Sequence, residues 1–302
     1  MSKNLATVAQ INHFLKDNLH RMENPEIYLG GEPNAPRYTP EEWDNATFRT
    51  ALTAVFDYKQ GMGNLGLPTL LQLLYDHNHT TQISERIYWM RNQREVDLMD
   101  RAGIPPFGLE TRHSMAAFDL IAFTCSYPAY WVNSAKLLKM AGIPTRWRDR
   151  MWKEGKRNQE DYPLVMVGGH IYATPFAVFP TADIIFCGEA EDETLEQQEH
   201  ARATRDPKAF GAAYDLAREN PGFCAVVDAM DAYKAKGMFY GEGREEMLYE
   251  LACKYHFLLV PRFYEFCHEW VPLPDGQGEP HSVEDSWAAW RKTEDKSAVG
   301  IR

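Results

Sequence analysis

No run of apolar residues in this chain approaches the roughly 18 that a membrane-spanning helix requires. The opening residues, Met1 to Ala6, also lack the apolar segment of a secretory leader, so the expectation is a soluble, cytoplasmic protein with no membrane partner. Cysteine is sparse. The five cysteines, Cys125, Cys187, Cys224, Cys253 and Cys267, are odd in number, and no two stand closer than fourteen positions. That spacing fits buried free thiols in a reducing compartment better than a disulfide framework. Basic charge is short as well: 32 Lys and Arg against 43 Asp and Glu leave a net charge of -11, which argues against a broad nucleic-acid-binding surface. What the chain does have is 44% apolar and 13% aromatic content over 302 residues, enough for a packed core in one large or two modest domains.

Three short runs stay apolar along their whole length and stop at small, polar or glycine-rich turns: residues 119–124, 162–167 and 183–187. Such runs suit parallel strands covered on both faces, and the loops leaving their carboxyl ends are where sheets of this kind bind ligands. Around them the pattern alternates. Residues 48–58 read as a strand, 59–63 as a glycine turn, and 65–77 as a helix with Leu67, Leu70, Leu71 and Leu74 on one face. Residues 86–90 read as a strand, 93–102 as a helix, 105–110 as a short strand, 132–141 as a helix and 145–148 as an edge strand. Strands alternating with helices predict right-handed crossovers and an α/β, doubly wound, mostly parallel sheet of flavodoxin-like type. An amphipathic helix over 5–22 and a breaker-rich loop over 24–40 precede it. Beyond it, 193–202, 207–217 and 245–255 read as helices and 256–260 as a strand, with little periodicity over 272–302.

Several motifs, taken together in order and spacing, carry a family resemblance. They are Asn24 to Asn34 with its Leu29-Gly-Gly-Glu32 core, Gly61-Met-Gly63, Glu85-Arg86, Ala102-Gly-Ile-Pro105, and Phe118-Asp119. Ala141-Gly-Ile-Pro144, Asp149-Arg150, Gly168-Gly169, Gly188-Glu189 and Leu259 to Tyr264 continue the series. The chain resembles the N-terminal half of radical S-adenosylmethionine (radical SAM) proteins with a cobalamin-binding-like domain, over residues 24–265. The pattern along the chain divides it into an N-terminal helix and loop extension at 1–45, an α/β domain at 46–202, a helical appendage at 203–271 and a linker or docking tail at 272–302, and the resemblance implies that the second is a Rossmann-like, cobalamin-binding-like domain.

Two departures limit the resemblance. Radical SAM catalysis needs a [4Fe-4S] cluster on a CxxxCxxC run with one iron open, and no cysteines here have that spacing. The cluster and S-adenosylmethionine are therefore expected only through a partner, a radical SAM catalytic subunit or domain that this chain serves as a split subunit or detached accessory domain. Cobalamin domains of this fold also place Asp-x-His-x-x-Gly after the first strand, where Lys59 to Asn64 stands here without a histidine. A corrinoid would lack a lower imidazole from this loop, and loss of the cofactor is the plainer outcome.

The candidate cofactor-binding residues are Gly61, Gly63, Thr124, Ser126, Tyr127, Gly168, Gly169, His170, Gly188 and Glu189. Gly61 and Gly63 permit close approach of a ligand or serve a plain turn. Thr124, Ser126 and Tyr127 follow a central strand, where they contact a ligand or cap the next helix. The Gly168-Gly169 pair removes side chains where a flat ring would lie, and His170 faces the pocket or holds a turn. Glu189 and Glu191 are expected to cap a helix. Cys125 has no base beside it in sequence and is not expected to be a nucleophile. The spacing of Cys253, His256, Cys267 and His268 loosely resembles a zinc site, with buried packing as the favoured explanation. The cationic, indole-bearing run from Arg146 to Lys153, continued by Lys156 and Arg157, reads as a charge-protected edge strand ahead of a nucleic-acid contact.

The reading is an accessory, cofactor- or substrate-side unit of a radical SAM system that covers the active site of a partner. The alternatives are a non-catalytic scaffold whose pocket is filled by its own side chains, and a stand-alone corrinoid- or flavin-binding module.

Overall fold

The computed structural model describes residues 2–153, 161–170, 175–187, 190, 222–255 and 257–264. Six strands form one sheet in the order β2-β1-β3-β4-β5-β6. They are β1 (Phe48–Asp57), β2 (Gln82–Trp89), β3 (Leu120–Thr124), β4 (Leu164–Gly168), β5 (Ile184–Phe186) and β6 (Leu258–Leu259). The first five run parallel, and β6 pairs antiparallel with β5. This is the flavodoxin-like order, with its topological switch between β1 and β3.

The helices are α1 (Val8–Asn18), α2 (Pro40–Asn45), α3 (Tyr58–Gly63), α4 (Gly66–Asn78), α5 (Gln93–Arg101), α6 (Val132–Met140), α7 (Trp147–Arg150), α8 (Gly222–Ala235) and α9 (Arg244–Lys254). Because α4 links β1 to β2 while α6 links β3 to β4 in the opposite direction, right-handed crossovers put them on opposite faces. The contacts agree. On one face His77 of α4 meets Asp228 of α8 at 2.6 Å, and on the other Lys136 of α6 bonds Gln93 of α5. Among the described residues, no helix is long and apolar enough to cross a membrane.

Local chemistry sets several boundaries. Thr7 caps α1 reciprocally with Gln10, and Thr39 does the same for α2 with Glu42 while Pro40 occupies the first turn. At the amino ends of the strands, two buried aspartates hold neighbouring chains. Asp119 Oδ2 accepts from the Arg49 amide at 2.8 Å and from Lys234 Nζ at 2.8 Å, while Oδ1 accepts from Tyr240 at 2.6 Å. Asp183 Oδ2 accepts from the Val165 amide at 2.9 Å and from Arg150 at 2.9 Å, while Oδ1 accepts from Arg262 at 2.7 Å. The first aspartate thereby ties α8 to the sheet, and Phe239 adds an edge-on contact with Phe48 at 5.2 Å.

Three expectations need correction. Residues 105–110 form no sheet strand; they lie along the outer edge of β2, where the Leu109 amide donates to the Arg86 carbonyl at 3.0 Å. Residues 145–148 are not an edge strand either. They enter α7 because Arg150 is drawn under the sheet, where its guanidinium bonds Asp183 and the Pro144 carbonyl, the latter at 2.6 Å. The 59–63 turn is the short helix α3, capped by Asp57 accepting from the Gln60 amide at 3.0 Å. The helices expected at 193–202 and 207–217, the tail 272–302, and residues Lys156, Arg157, His256, Cys267 and His268 lie outside the described residues.

Candidate functional site

Side chains alternate across a strand, so each row of register partners presents one face. Near the carboxyl ends, the face toward α5 and α6 carries the bulky row Phe123, Val167 and Ile185. The row toward α4 and α8 is small: Ala54 pairs with Thr124, and Thr124 with Gly168. One residue deeper on that face, Leu52 pairs with Ala122, and Ala122 with Met166. The small row cannot fill the space beneath α4, and a cavity of about 220 Å³ remains there.

Leu52, Ala122 and Met166 form its floor. Leu67 and Leu70 of α4 make one wall, and Phe186 with Phe223 makes the other, the two rings meeting edge-on at 5.9 Å. Thr124, Ser126, Gly168, Gly169, His170 and Asn64 supply the polar atoms of the rim. The structure therefore gathers Thr124, Ser126, Gly168, Gly169 and His170, all anticipated from sequence, around one hollow.

The remaining candidates lie elsewhere. A Cβ on Gly61 would collide with the Tyr88 ring, so this glycine lets α3 seat on β2 and does not line the cavity. Gly63 faces open space, and Tyr127 projects outward with 61% of its surface exposed. Gly188, Glu189 and Glu191 lie outside the described residues. Periodicity alone missed Asn64, Gly66, Phe186 and Phe223; the signal available for the first two was an Asn-x-Gly step opening a helix behind a parallel strand.

The two adjacent glycines are required for different reasons. Gly169 has φ +93, and an added Cβ would stand 3.0 Å from the Cys125 carbonyl oxygen, so the protein itself demands glycine. At Gly168 an added Cβ would meet only Phe186 Cβ at an ordinary 3.7 Å. Its missing side chain serves the hollow, not the fold.

Among the described residues, no aspartate, glutamate, lysine or arginine lines the cavity. Cys125 is buried, its Sγ facing the Tyr127 carbonyl at 3.4 Å, and burial pushes the thiol up to about 11, which removes it as a nucleophile at neutral pH. No group of three or more His, Cys, Asp or Glu able to hold a metal occurs among the described residues. The α3 loop has no imidazole, and its Met62 Sδ instead faces Arg86 and Tyr88 at 3.7 Å. These residues do not fit a corrinoid whose cobalt takes a histidine from that loop.

A second polar cluster lies at the outer edge of β2, away from the cavity. Arg86 bonds Glu32 at 2.6 Å and Glu110 at 2.7 Å, and Tyr58 donates to Glu32 at 2.5 Å. Next to it, Glu85 is wholly buried. It accepts the amides of Glu110 at 3.2 Å and Thr111 at 2.9 Å and bonds the Thr111 hydroxyl, which in turn meets His113 Nδ1 at 2.7 Å. Arg112, with φ 63, follows in the left-handed region, and its amide donates back to the Gly108 carbonyl at 2.9 Å. Burial first, then the Glu110 charge, pushes Glu85 up to about 8. Burial raises Glu110 as well, opposed by the Arg86 guanidinium that lies against it and not against Glu85. Burial, with a smaller contribution from Arg49, pulls His113 down to about 4, leaving a neutral ring stacked on Trp43 at 3.6 Å. Glu85 is sealed by Gly108, where any Cβ would strike its carboxyl, so this perturbed acid fastens the edge and does not face a ligand.

No curated protein and no solved structure matches the chain. The stretch that begins at the first residue of α4, contributes the glycine-bearing end of β4 to the cavity and continues past β5, residues 66–214, matches the family model described as radical SAM proteins, N-terminal.

Proposed function

We propose that this chain is the ligand-side unit of a radical SAM system, holding a substrate or cofactor group in the cavity while a partner subunit or domain supplies the [4Fe-4S] cluster and S-adenosylmethionine. The observation that carries this reading is where the cavity opens. It lies at the carboxyl ends of parallel strands, most of its lining falls within the stretch matched by the family model, and exposed apolar side chains stand beside lining residues. Leu65, next to the lining residues Asn64 and Gly66, is 81% exposed, and Tyr127, next to the lining residue Ser126, is 61% exposed. Exposed apolar side chains at a ligand mouth are the kind of surface that a second protein covers.

A carbon radical must be kept from water and from stray hydrogen donors, so covering the mouth of a catalytic barrel with a dry surface has chemical value. The chain's own part is to bind, orient and exclude solvent; the electron and the radical come from the partner. A scaffold with a side-chain-filled pocket is less well supported, because Gly168 leaves open a space that an alanine would begin to fill.

The test is co-expression with a CxxxCxxC-bearing chain encoded beside this one. A stoichiometric complex that is lost in Leu65→Glu and Tyr127→Glu, with iron-sulfur absorbance confined to the partner, is the expected result. A cluster that forms in this chain alone and cleaves S-adenosylmethionine, or the absence of any complex, sinks the reading.

A further inference from the structure

In doubly wound folds the helix that follows β1 commonly turns its free N–H groups on a ligand phosphate. Here α4 occupies that place and its first turn lines the cavity, but part of its donor set has been withdrawn. Of the four groups at the head of α4, from the N-cap Leu65 to Pro68, the Gly66 amide donates to Asn64 Oδ1 at 2.8 Å and Pro68 has no N–H. At most the Leu65 and Leu67 amides are left. No lysine or arginine among the described lining residues replaces the missing donors.

The rest of the cavity favours a flat, neutral guest. The paired Thr124 and Gly168, with Ala122 below them, offer a level surface without bulk, Met166 provides a soft floor, and the Phe186 ring stands at one side. Hydrogen-bonding atoms sit on the rim, at Thr124, Ser126 and His170, where a ring's heteroatoms would meet them.

We infer that this cavity takes the uncharged, flat heteroaromatic portion of a ligand, with no phosphate or carboxylate bound at the α4 end. The inference rests on the reading of the cavity as the system's ligand site, but it is tested on this chain alone, without a partner.

The probes are two matched pairs, riboflavin with flavin mononucleotide and adenosine with adenosine monophosphate, measured by equilibrium dialysis at low and high salt. At least one neutral member binds, its phosphate ester gains no affinity, and salt leaves binding unchanged. Gly168→Ala, which the fold accommodates, weakens that binding by about tenfold, a difference of about 1.4 kcal/mol, with its melting temperature unaltered. Thr124→Val tests the rim, lowering affinity without closing the space. A phosphate ester that binds about tenfold tighter than its neutral partner, competition by inorganic phosphate, or failure of both neutral probes overturns the assignment. Failure here with an intact partner complex removes the ligand class alone; binding here without any partner complex removes the radical SAM reading and leaves the ligand class.

Discussion

Gly169 packs its Cα against the Cys125 carbonyl, at a distance where an added Cβ would stand 3.0 Å from the oxygen, with φ +93. Gly168, one residue earlier, meets neither condition. Gly169→Ala should therefore cost about 1–2 kcal/mol from the left-handed backbone alone, and more once the carbonyl contact is strained. Gly168→Ala should remain within about 0.5 kcal/mol of the parent. Denaturant unfolding of the two variants side by side checks this; equal losses would contradict the division of roles.

The proton on Glu85 sets a pH dependence. In the unfolded chain this group titrates near 4.5, and in the fold near 8. Between those values the native state holds a proton that the unfolded state has released, so stability falls as pH rises across that window and levels off above it. Glu85→Gln mimics the protonated form, its amide donating to Thr111 while its carbonyl accepts the two backbone amides. The variant should lose the downward slope that Glu85 contributes from about pH 5 to 8, leaving a smaller downward slope from Glu110, which burial also raises, and an upward one below about pH 6.5 from His113, which is neutral in the fold. Glu32 and Asp183 are held below the ordinary carboxylate range and act at lower pH. Thermal melts over that range decide the matter.

Arg150 and Asp183 have no exposed side-chain surface, and Arg262 reaches the same carboxylate. Asp183→Ala leaves the buried Arg150 guanidinium without its carboxylate and Arg262 with Glu245 alone, and should cost about 3–5 kcal/mol. Asp119→Ala, whose partner Lys234 is partly exposed, should cost about 1–3 kcal/mol. Equilibrium unfolding in urea separates them, and a reversed order would show that the two aspartates do not differ as their burial says.

Burial pushes the thiols of Cys125 and Cys187 up to about 11. Alkylation of the native protein near pH 8 should leave both unmodified until the chain unfolds, while the exposed Cys253 reacts. Peptide mass spectrometry after a short pulse reads the outcome.

The strands were legible because β3 and β5 each follow an aspartate and stay apolar to their ends, and α4 because its leucines recur at helical spacing. Their carboxyl-end residues were legible as a site for the same reason: in a parallel sheet those ends share one side. The walls were not. Which strand face is small depends on register, which pairs Ala54 with Thr124 and Thr124 with Gly168, and no local window contains those pairings. Residues 105–110 have strand-like composition yet serve an edge, and Arg150 sits in a cationic run that looks solvent-facing until its partner at Asp183 is known. Gly61 signalled a ligand turn from its type, whereas a ring on β2 requires it. In each case the deciding contact lies far away along the chain.

The strap over residues 107–110 and the two-residue β6 have one joint effect. The strap uses up hydrogen-bonding groups along the free side of β2, and β6 does the same for β5 before ending almost at once. Among the described residues, neither flank of the sheet then offers a long open ladder for a foreign strand, which protects against edge-to-edge pairing and fibrillar stacking.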